Sequence, residues 1–292
     1  MNNSATLFPN SISPREEMIA YEALWAIEGM TEKKMTEIFR TGVLPSSAVK
    51  KEAGLFYPEL IKNVEEFFQK ITIPFSIAIS RDFQYPERLR QAQYPIELFY
   101  YRGALELLNS KCISIVGSRK CSSEGLRRAA KASALLVKHG YTVVSGLAEG
   151  ADTSALKSAI QEGGKVIGVI GTPIDQYYPK DNKELQDEIA ENHLLISQVP
   201  FYRYSLESFP FRKHNFPRRN ATMSAISDGT IIIEASDTSG TLTQARAAIF
   251  QNRKLFVLNS CFENTSITWP WNYEKKGAIR VKDVAEILNH LE

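Results

Sequence analysis

Apolar runs rich in β-branched residues alternate with amphipathic stretches over most of the chain. The runs predict strands at 74–80, 112–117, 141–146, 165–171, 194–199, 230–235 and 254–259. The stretches between them predict helices at 122–139, 151–162, 182–192 and 240–251. Strands that are apolar along nearly their whole length are typical of a parallel sheet covered by helices on both faces. The sequence therefore predicts an α/β fold with a Rossmann-like, doubly wound and mainly parallel sheet.

The N-terminal part of the chain has a different pattern. Apolar residues recur at helical spacing between residues 15 and 72, and no reactive side chains cluster there. This predicts a small all-helical domain whose role is packing or dimerisation rather than catalysis. The predicted domains are a flexible arm (1–14), the helical domain (15–72), the Rossmann-like domain (73–264) and a tail (265–292). The tail is predicted to end in a helix over 281–291.

Charge and composition restrict the classes of function. The 292 residues include 35 Lys and Arg against 33 Asp and Glu, which gives a net charge of +2. Binding of nucleic acid through bulk positive charge needs more than this, so any such site must be local. The three cysteines and four histidines show neither a disulfide framework nor the spacing of metal ligands.

Targeting signals are absent from the sequence pattern. No apolar run approaches the roughly 20 residues that span a bilayer, and the N-terminus lacks the basic-then-apolar order of a signal peptide. The few scattered cysteines are typical of a reducing compartment. We therefore expect a cytoplasmic protein with no membrane partner.

Small and polar residues follow the ends of the predicted strands. Ligands of doubly wound folds bind beyond the carboxyl ends of the strands, where helix N-termini offer N–H groups to anions. One glycine turn is the ordinary connection in such folds, but several on one sheet edge predict a site for a nucleotide or a nucleic-acid backbone. The residues at these positions are Gly117, Ser118, Arg119, Ser145, Gly146, Ser239, Gly240 and Thr241.

The segment 209–224, FPFRKHNFPRRNATMS, combines cations with aromatic residues and contains no acid. Cations pair with phosphates and aromatic faces stack on unpaired bases, so the segment is typical of a single-stranded nucleic-acid surface. The alternative is a solvated basic loop whose phenylalanines belong to the core. The residues concerned are the cations Arg212, Lys213, Arg218 and Arg219 and the aromatic residues Phe209, Phe211 and Phe216, which precede or separate them.

Other nucleotide chemistries find little support. The turn GSRKCSSEG departs from GxGxxG, and the next strand ends in Ser145–Gly146 rather than in an acid that could hold a ribose. No GxxxxGK[ST] segment is present. Glu234 and Asp237 could act as acid or base, but no nucleophile stands at a suitable spacing.

Five segments, in the same order and at compatible spacing, resemble the DNA-processing protein A (DprA/Smf) family. They are IVGSR (115–119), VVSGLAEGADTSAL (143–156), VIGVIGTPIDQYYPKDNKEL (166–185), NFPRRN (215–220) and IIIEASDTSGTLTQARAAIFQNRKLFVL (231–258). The resemblance runs from about Phe75 to about Ser260.

The resemblance implies an extended Rossmann fold that binds single-stranded DNA without sequence preference. It also implies a homodimer and delivery of strands to a RecA-type recombinase, with no catalytic step and no cofactor. It assigns phosphate contacts to Ser118 and Arg119, beside a cradle at Ser145 and Gly146. Further contacts to the strand would come from Lys180, Asn215, Phe216, Arg218, Arg219 and Asn220.

The chain departs from the family pattern at some positions, and two other functions stay open. Glu149 stands where a basic residue is common in the family, and Gln198 where a Glu is usual. One alternative is a nucleotide sensor or hydrolase of the related lysine-decarboxylase-like (LOG) fold, although Gln244 replaces the glutamate of that group. The other is a scaffold that interacts mainly through its helical N-terminal domain.

Overall fold

The computed structural model describes residues 12–92 and 94–291, so most of the predicted arm over 1–14 lies outside the described residues. The chain divides into two compact units. The first consists of the chain up to Thr72 together with Pro200–Ser205, and the second of Ile73–Val199 together with Leu206–Glu292. The sequence patterns had placed 200–205 in the Rossmann-like part.

The first unit is helical. Its helices are α1 (Pro14–Ala26), α2 (Glu32–Phe39), α3 (Pro45–Ala53), α4 (Tyr57–Phe68) and, later in the chain, most of α9 (Phe201–Leu206). The hydroxyl of Ser13 caps α1 by accepting the Glu16 N–H at 3.4 Å. Buried Glu22 accepts the N–H groups of Phe201 at 2.8 Å and Tyr202 at 2.9 Å. This carboxylate therefore joins the first turn of α9 to the other helices of the unit.

The second unit contains one sheet of nine strands among the described residues. They are β1 (Ser76–Ile79), β2 (Leu98–Gly103), β3 (Cys112–Val116), β4 (Thr142–Ser145), β5 (Val166–Ile170), β6 (Leu194–Ser197), β7 (Gly229–Ile232), β8 (Lys254–Leu258) and β9 (Ile279–Val281). Their order is β1-β2-β6-β5-β4-β3-β7-β8-β9. The strands β1 and β2 run antiparallel at one edge, and the seven strands from β6 to β9 in this order are parallel.

The second unit also contains helices, several of which connect the parallel strands and cover the sheet. They are α5 (Glu87–Arg90), α6 (Ser123–Lys138), α7 (Ala151–Gln161), α8 (Lys183–Asn192), α10 (Phe209–Arg212), α11 (Asn215–Ile226), α12 (Thr241–Phe250), α13 (Asn259–Glu263), α14 (Trp269–Glu274) and α15 (Ala285–Leu288). The pair α6 and α7 packs against β3 and β4. The pair α11 and α12 covers a core that includes Val144, Met223 and Ala245. None of the helices in the described part of the chain is long and apolar enough to cross a membrane.

The central elements confirm the predicted Rossmann-like fold. The strands β3 to β8 and the helices α6, α7, α8 and α12 lie within three residues of the predicted limits. Except at exposed Lys254, these strands are buried along their whole length. The reason is that neighbouring strands flank each of them on both sides and helices cover the two faces of the sheet. A continuous apolar run, without alternation of apolar and polar residues, is therefore the pattern that predicts these strands.

The edges of the sheet differ from the prediction. The sequence patterns missed β2, which pairs with β6, and β9, which pairs with β8. The helix predicted over 281–291 is present but shorter: α15 covers only Ala285–Leu288, and Val281 belongs to β9. Pairing with Phe256–Leu258 holds this backbone in the strand conformation, so a helix can begin only after it. The segment 209–224 is not a loop, because α10 and α11 occupy most of it.

Candidate nucleic-acid interface

A cavity of about 220 Å³ opens at the carboxyl ends of β3 and β7. From β3 the chain continues to β4, β5 and β6 on one side, whereas β7, β8 and β9 extend the sheet on the other. The strand order therefore reverses between β3 and β7, the point at which doubly wound sheets bind ligands. The cavity is lined by Val116, Gly117, Ser118, Arg119, Ala148, Asp152, Phe216, Pro217, Arg219, Asn220, Ser239, Gly240 and Thr241.

Two loops form the walls of this cavity and are hydrogen-bonded to each other. In the loop after β3, the Ser118 hydroxyl accepts the Lys120 N–H at 3.1 Å. In the loop after β7, the Ser239 hydroxyl accepts the Thr241 N–H at 3.2 Å. The Thr241 hydroxyl then donates to the Gly117 carbonyl at 3.2 Å, which fixes the spacing of the two walls.

An arginine and two aromatic rings form a cluster at the rim. The Arg119 guanidinium carbon lies 5.6 Å from the ring centre of Phe216 and 5.8 Å from that of Tyr178. The two ring centres are 5.2 Å apart, with an angle of 48° between the rings. Arg119 is exposed, so its charge remains available to a ligand while the rings restrict its side chain. The cluster thus presents a cation beside aromatic faces.

A second arginine, Arg219, lies beneath the cluster with only 5% of its surface exposed. Its Nη1 donates to the carbonyls of Gly146 and Val169, the latter at 2.9 Å, and its Nε donates to Asn220 at 2.9 Å. Burial lowers the pKa of Arg219 to about 10, and the carboxylate of Asp152 opposes that shift. Arg219 therefore joins α11 to the carboxyl ends of β4 and β5.

The floor of the cavity carries a carboxylate. Asp152, in the first turn of α7, is 4% exposed and accepts the Gly146 N–H at 3.0 Å. Burial raises the pKa of Asp152, whereas Arg219 and the N–H groups of Gly146, Ala148 and Gly117 act in the opposite direction. The site therefore has a buried carboxyl group at its floor, with positive and aromatic groups around it.

Comparison with known proteins assigns the chain to a family. The family model of DNA recombination-mediator protein A matches residues 76–292. The chain belongs to this family.

Individual relatives agree with the family match. The chain is 39% identical to DNA processing protein DprA of Streptococcus pneumoniae over 67% of its own length and 66% of the relative. It is 29% identical to DprA of Bacillus subtilis over 85% of its own length and 81% of that protein. It is 35% identical to protein Smf of Escherichia coli over 74% of its own length, but this spans only 56% of that protein.

Solved structures of the family match the fold. The chain superposes on DprA from Streptococcus pneumoniae with a TM-score of 0.77 and 27% identity, covering 96% of this chain and 98% of the other. For DNA processing protein A from Helicobacter pylori, whose structure was described for its single-stranded DNA binding mode, the TM-score is 0.64 at 27% identity. That match covers 75% of this chain and 96% of the other.

Several residues that the sequence assigned to the DprA-type site meet at the cavity. Those in the lining are Gly117, Ser118, Arg119, Phe216, Arg219, Asn220, Ser239, Gly240 and Thr241. Other assigned residues lie outside it: Lys180 is exposed at the start of a short 3-10 turn, and Phe211 is 62% exposed on α10. The cations outside the lining that are exposed or half-buried on or near α10 and α11 are Arg212, Lys213 and Arg218.

Four assigned side chains, those of Ser145, Asn215, Arg219 and Thr241, are buried, so the structure favours a supporting role for them over the direct contacts expected from the sequence. The Ser145 hydroxyl is inaccessible and donates to the Ile115 carbonyl at 2.7 Å. Asn215 is 5% exposed and accepts from Arg218 at 3.5 Å. Arg219 donates to strand carbonyls. These groups hold the site from below, because their polar atoms already have partners inside the protein.

Sequence reasoning missed Tyr178 and Asp152. Tyr178 lies in the loop after β5 and contacts Phe216 and Arg119, so an aromatic residue in a loop after a strand was the available signal. Asp152 belongs to the Gly-Ala-Asp sequence in the segment that resembles the DprA/Smf family, but the resemblance assigned no role to it. Its importance depends on burial beside Arg219, which residue spacing does not show.

Glu234 has a structural role instead of the acid–base role considered from sequence. Its carboxylate accepts the Ser122 N–H at 2.9 Å and also the Ser122 hydroxyl at the start of α6. Burial opposes ionisation, but the hydrogen bonds from Ser122 and Cys121 outweigh it and lower the pKa of Glu234. Within residues 12–92 and 94–291, no group of three or more His, Cys, Asp or Glu side chains could hold a metal ion.

Proposed function

We propose that this member of the DNA recombination-mediator protein A family binds single-stranded DNA without sequence preference. The observation that carries the proposal is the exposed Arg119 beside the rings of Tyr178 and Phe216 at the switch point of the sheet. The single-stranded DNA binding mode described for the Helicobacter pylori relative supports it.

The mechanism combines charge with stacking. The Arg119 guanidinium attracts a backbone phosphate, and the Ser118 hydroxyl lies in the same wall to hydrogen-bond to it. An unpaired base then stacks on the half-exposed ring of Phe216 or on Tyr178. Every base has an aromatic face, so this contact favours single strands over duplexes but does not select a sequence.

Cations outside the cavity, two of them exposed and one half-buried, extend the proposed path of the strand. Lys213 lies 5.1 Å from the ring centre of Phe209, so a second cation–aromatic pair stands on α10. Arg218 on α11 and Lys180 after β5 add positive charge near the carboxyl edge. We propose that these groups contact successive phosphates, while the exposed Glu149 restricts the path on the α7 side.

A LOG-type hydrolase fits the geometry less well. Gln244, at the position of that group's glutamate, is fully buried and donates to the Thr230 hydroxyl at 3.3 Å. A neutral buried amide cannot act as a general base. We therefore infer a binding protein without a catalytic step or a cofactor.

The wider biological role is also a proposal. We propose that the protein acts as a homodimer in the cytoplasm and passes strands to a RecA-type recombinase, as the family resemblance implies. The three cysteines are all free thiols, which suits a reducing compartment. Faster loading of a recombinase onto single strands in the presence of this protein than in its absence would support the transfer step. Unchanged loading would contradict it.

The deciding experiment compares single-stranded and double-stranded DNA of the same length and sequence in a filter-binding assay. We expect the single strand to bind at least about tenfold more tightly, because stacking contributes about 1–3 kcal/mol per base only when bases are unpaired. Strands of unrelated sequence should bind alike. Equal affinity for the duplex, or no binding to either, would contradict the proposal.

A further inference from the structure

One buried asparagine joins the loops that follow two neighbouring strands, β4 and β5. The loop between β5 and α8 carries Tyr178 and Lys180 of the proposed strand path and ends at Asn182, which is 8% exposed. The Nδ2 group of Asn182 donates to the Leu147 carbonyl at 2.8 Å and to the Thr153 hydroxyl at 2.7 Å. Both acceptors belong to the connection from β4 into α7. The amide therefore uses both of its N–H donors on the neighbouring connection.

The turn that accepts these two hydrogen bonds has an unusual backbone conformation. Leu147 has a φ of 56°, in the left-handed region that residues with a side chain rarely adopt. The Thr153 hydroxyl in turn donates to the Ala148 carbonyl at 2.7 Å, and Ala148 lines the cavity. The hydrogen bonds from Asn182 therefore stabilise a turn that the backbone alone disfavours and that forms part of the cavity wall.

The first turn of α7 is also bonded to the loop after β3. The Ala151 N–H donates to the carbonyl of Ser118, the residue before Arg119, at 3.4 Å. This turn is thus connected to the Arg119 loop on one side and, through Asn182, to the Tyr178 loop on the other. The Tyr178 ring centre lies 5.8 Å from the Arg119 guanidinium carbon. The separation of these two groups therefore depends on both connections.

We propose that Asn182 is a positioning residue of the strand-binding site: it touches no DNA itself but holds Tyr178 and Lys180 beside Arg119. Without the two donors of Asn182, the loop after β5 keeps its hydrogen bonds to α8 but loses those to the β4 side. Binding of a strand then has to order the loop, and this cost lowers the affinity. The inference rests on the proposed function, because it concerns the same site.

The test uses the full-length protein and a fluorescently labelled single-stranded oligonucleotide of mixed sequence. Asn182→Ala removes both donors, and Asn182→Asp keeps the size of the side chain but replaces the donating amide by a carboxylate. Asn192→Ala is the matched control, because Asn192 is an exposed asparagine at the other end of α8. Tyr178→Ala, alone and combined with Asn182→Ala, shows whether the two residues act together. Fluorescence anisotropy measures affinity, and hydrogen exchange without DNA measures the protection of the loop amides.

We expect Asn182→Ala and Asn182→Asp to bind single strands about five- to tenfold more weakly than wild type, the cost of ordering one or two side chains on binding. Asn192→Ala should bind as wild type does. The double variant should lose much less affinity than the two single losses combined, because Asn182 acts through the loop that carries Tyr178. Without DNA, the amides of that loop should lose protection in both Asn182 variants and keep it in Asn192→Ala.

Unchanged affinity or unchanged loop protection in folded Asn182 variants would overturn the inference, and so would independent losses in the double variant. If both Asn182 variants fail to fold, Thr153→Val takes their place, because it removes only one of the two acceptors. It must then show the same losses in affinity and protection, and wild-type behaviour would overturn the inference. Absence of single-strand binding by wild type would instead contradict the proposed function, and hydrogen exchange would still decide whether Asn182 holds the loop.

Discussion

Burial separates the roles of neighbouring arginines. Arg218 and Arg219 are adjacent on α11, yet Arg219 is buried and bonded to strand carbonyls while Arg218 is only half-buried. Successive helical residues point about 100° apart, so one arginine faces the sheet and the next one does not. Arg119, in a loop, keeps its charge at the surface. The sequence located all three cations but could not tell which would reach a phosphate.

Arg119 should therefore be the most sensitive single position for strand binding. Arg119→Glu replaces attraction by repulsion at the rim, and we expect single-strand affinity to fall at least about a hundredfold, the cost of losing and reversing a charge-assisted contact. Lys138→Glu is the matched control: it reverses an exposed charge at the other end of α6, beyond the amino end of β4. Gel-shift titration measures both variants, and circular dichroism checks their folding. Equal affinities of the two variants would contradict the assignment.

Phe216 should contribute through its aromatic face rather than through its bulk. Phe216→Leu keeps an apolar group against Gly171 but removes the stacking surface. We expect a loss of about 1–3 kcal/mol in single-strand binding, the range for one base–aromatic contact. Phe216→Tyr retains the ring and should bind as wild type does. Fluorescence anisotropy with a labelled oligonucleotide measures the difference, and similar affinities for the leucine and tyrosine variants would exclude stacking.

At the scale of elements, α11 is held to the sheet by the buried guanidinium of Arg219, which lies near the buried carboxyl group of Asp152. Arg219 bonds to the carbonyls of Gly146 and Val169 and attracts Asp152. Removing this guanidinium leaves two buried carbonyl groups without their donor and the Asp152 carboxyl without its neighbouring cation, a loss of about 3–5 kcal/mol. We expect Arg219→Gln to reduce the free energy of unfolding by about that amount. The double variant with Asp152→Asn should lose much less than the sum of the two single variants. Denaturant titrations measure this coupling, and additive losses would contradict it.

The N-terminus of α6 should make stability dependent on pH through Glu234. The pKa of this carboxyl is lowered in the folded protein from its ordinary value of 4.5, so its contribution is complete above that value. The contribution is lost as the pH falls through the folded pKa. At pH 7 we expect Glu234→Gln to be less stable than wild type by about 1 kcal/mol, a typical capping contribution. Urea unfolding at several pH values should show the difference disappearing in acid, and a constant difference would contradict this role.

Local patterns predicted the elements in the middle of the sheet better than those at its edges. Strands β3 to β8 each lie between two other strands and are continuous apolar runs in the sequence. Strand β9 lies at the edge, has only three residues and follows a polar turn. Its strand conformation depends on pairing with β8, and the residues next to β9 in the sequence do not reveal this pairing. The helix α11 was likewise not predicted, because the charges of its segment indicated a nucleic-acid surface or a solvated loop. In the structure this helix packs against β3, β5 and α12, contacts that its local sequence does not reveal.

For the whole molecule, the arrangement of charge matters more than its total. A net charge of +2 gives little long-range attraction to DNA. The topology compensates because it brings the turn after β3, the loop after β5 and the helix α11 to one edge of the sheet. Glycine turns and cations that are far apart in sequence thereby form one local positive site. The family motifs predicted this gathering, but the carboxylate beneath it became visible only in three dimensions.

A local site of this kind predicts a modest dependence of binding on salt. Each phosphate neutralised on a single strand contributes a slope of about −0.7 to the logarithm of affinity against the logarithm of salt concentration. If the four cations of the proposed path, Arg119, Lys180, Lys213 and Arg218, contact the strand, the slope is about −3. Arg119→Gln should reduce its magnitude by about 0.7, because one contact is lost. Lys138→Gln, which removes the same charge at the opposite edge, should leave it unchanged. Equal changes in slope for both variants would mean that binding responds to total charge, and the proposed path along the carboxyl edge would then be wrong.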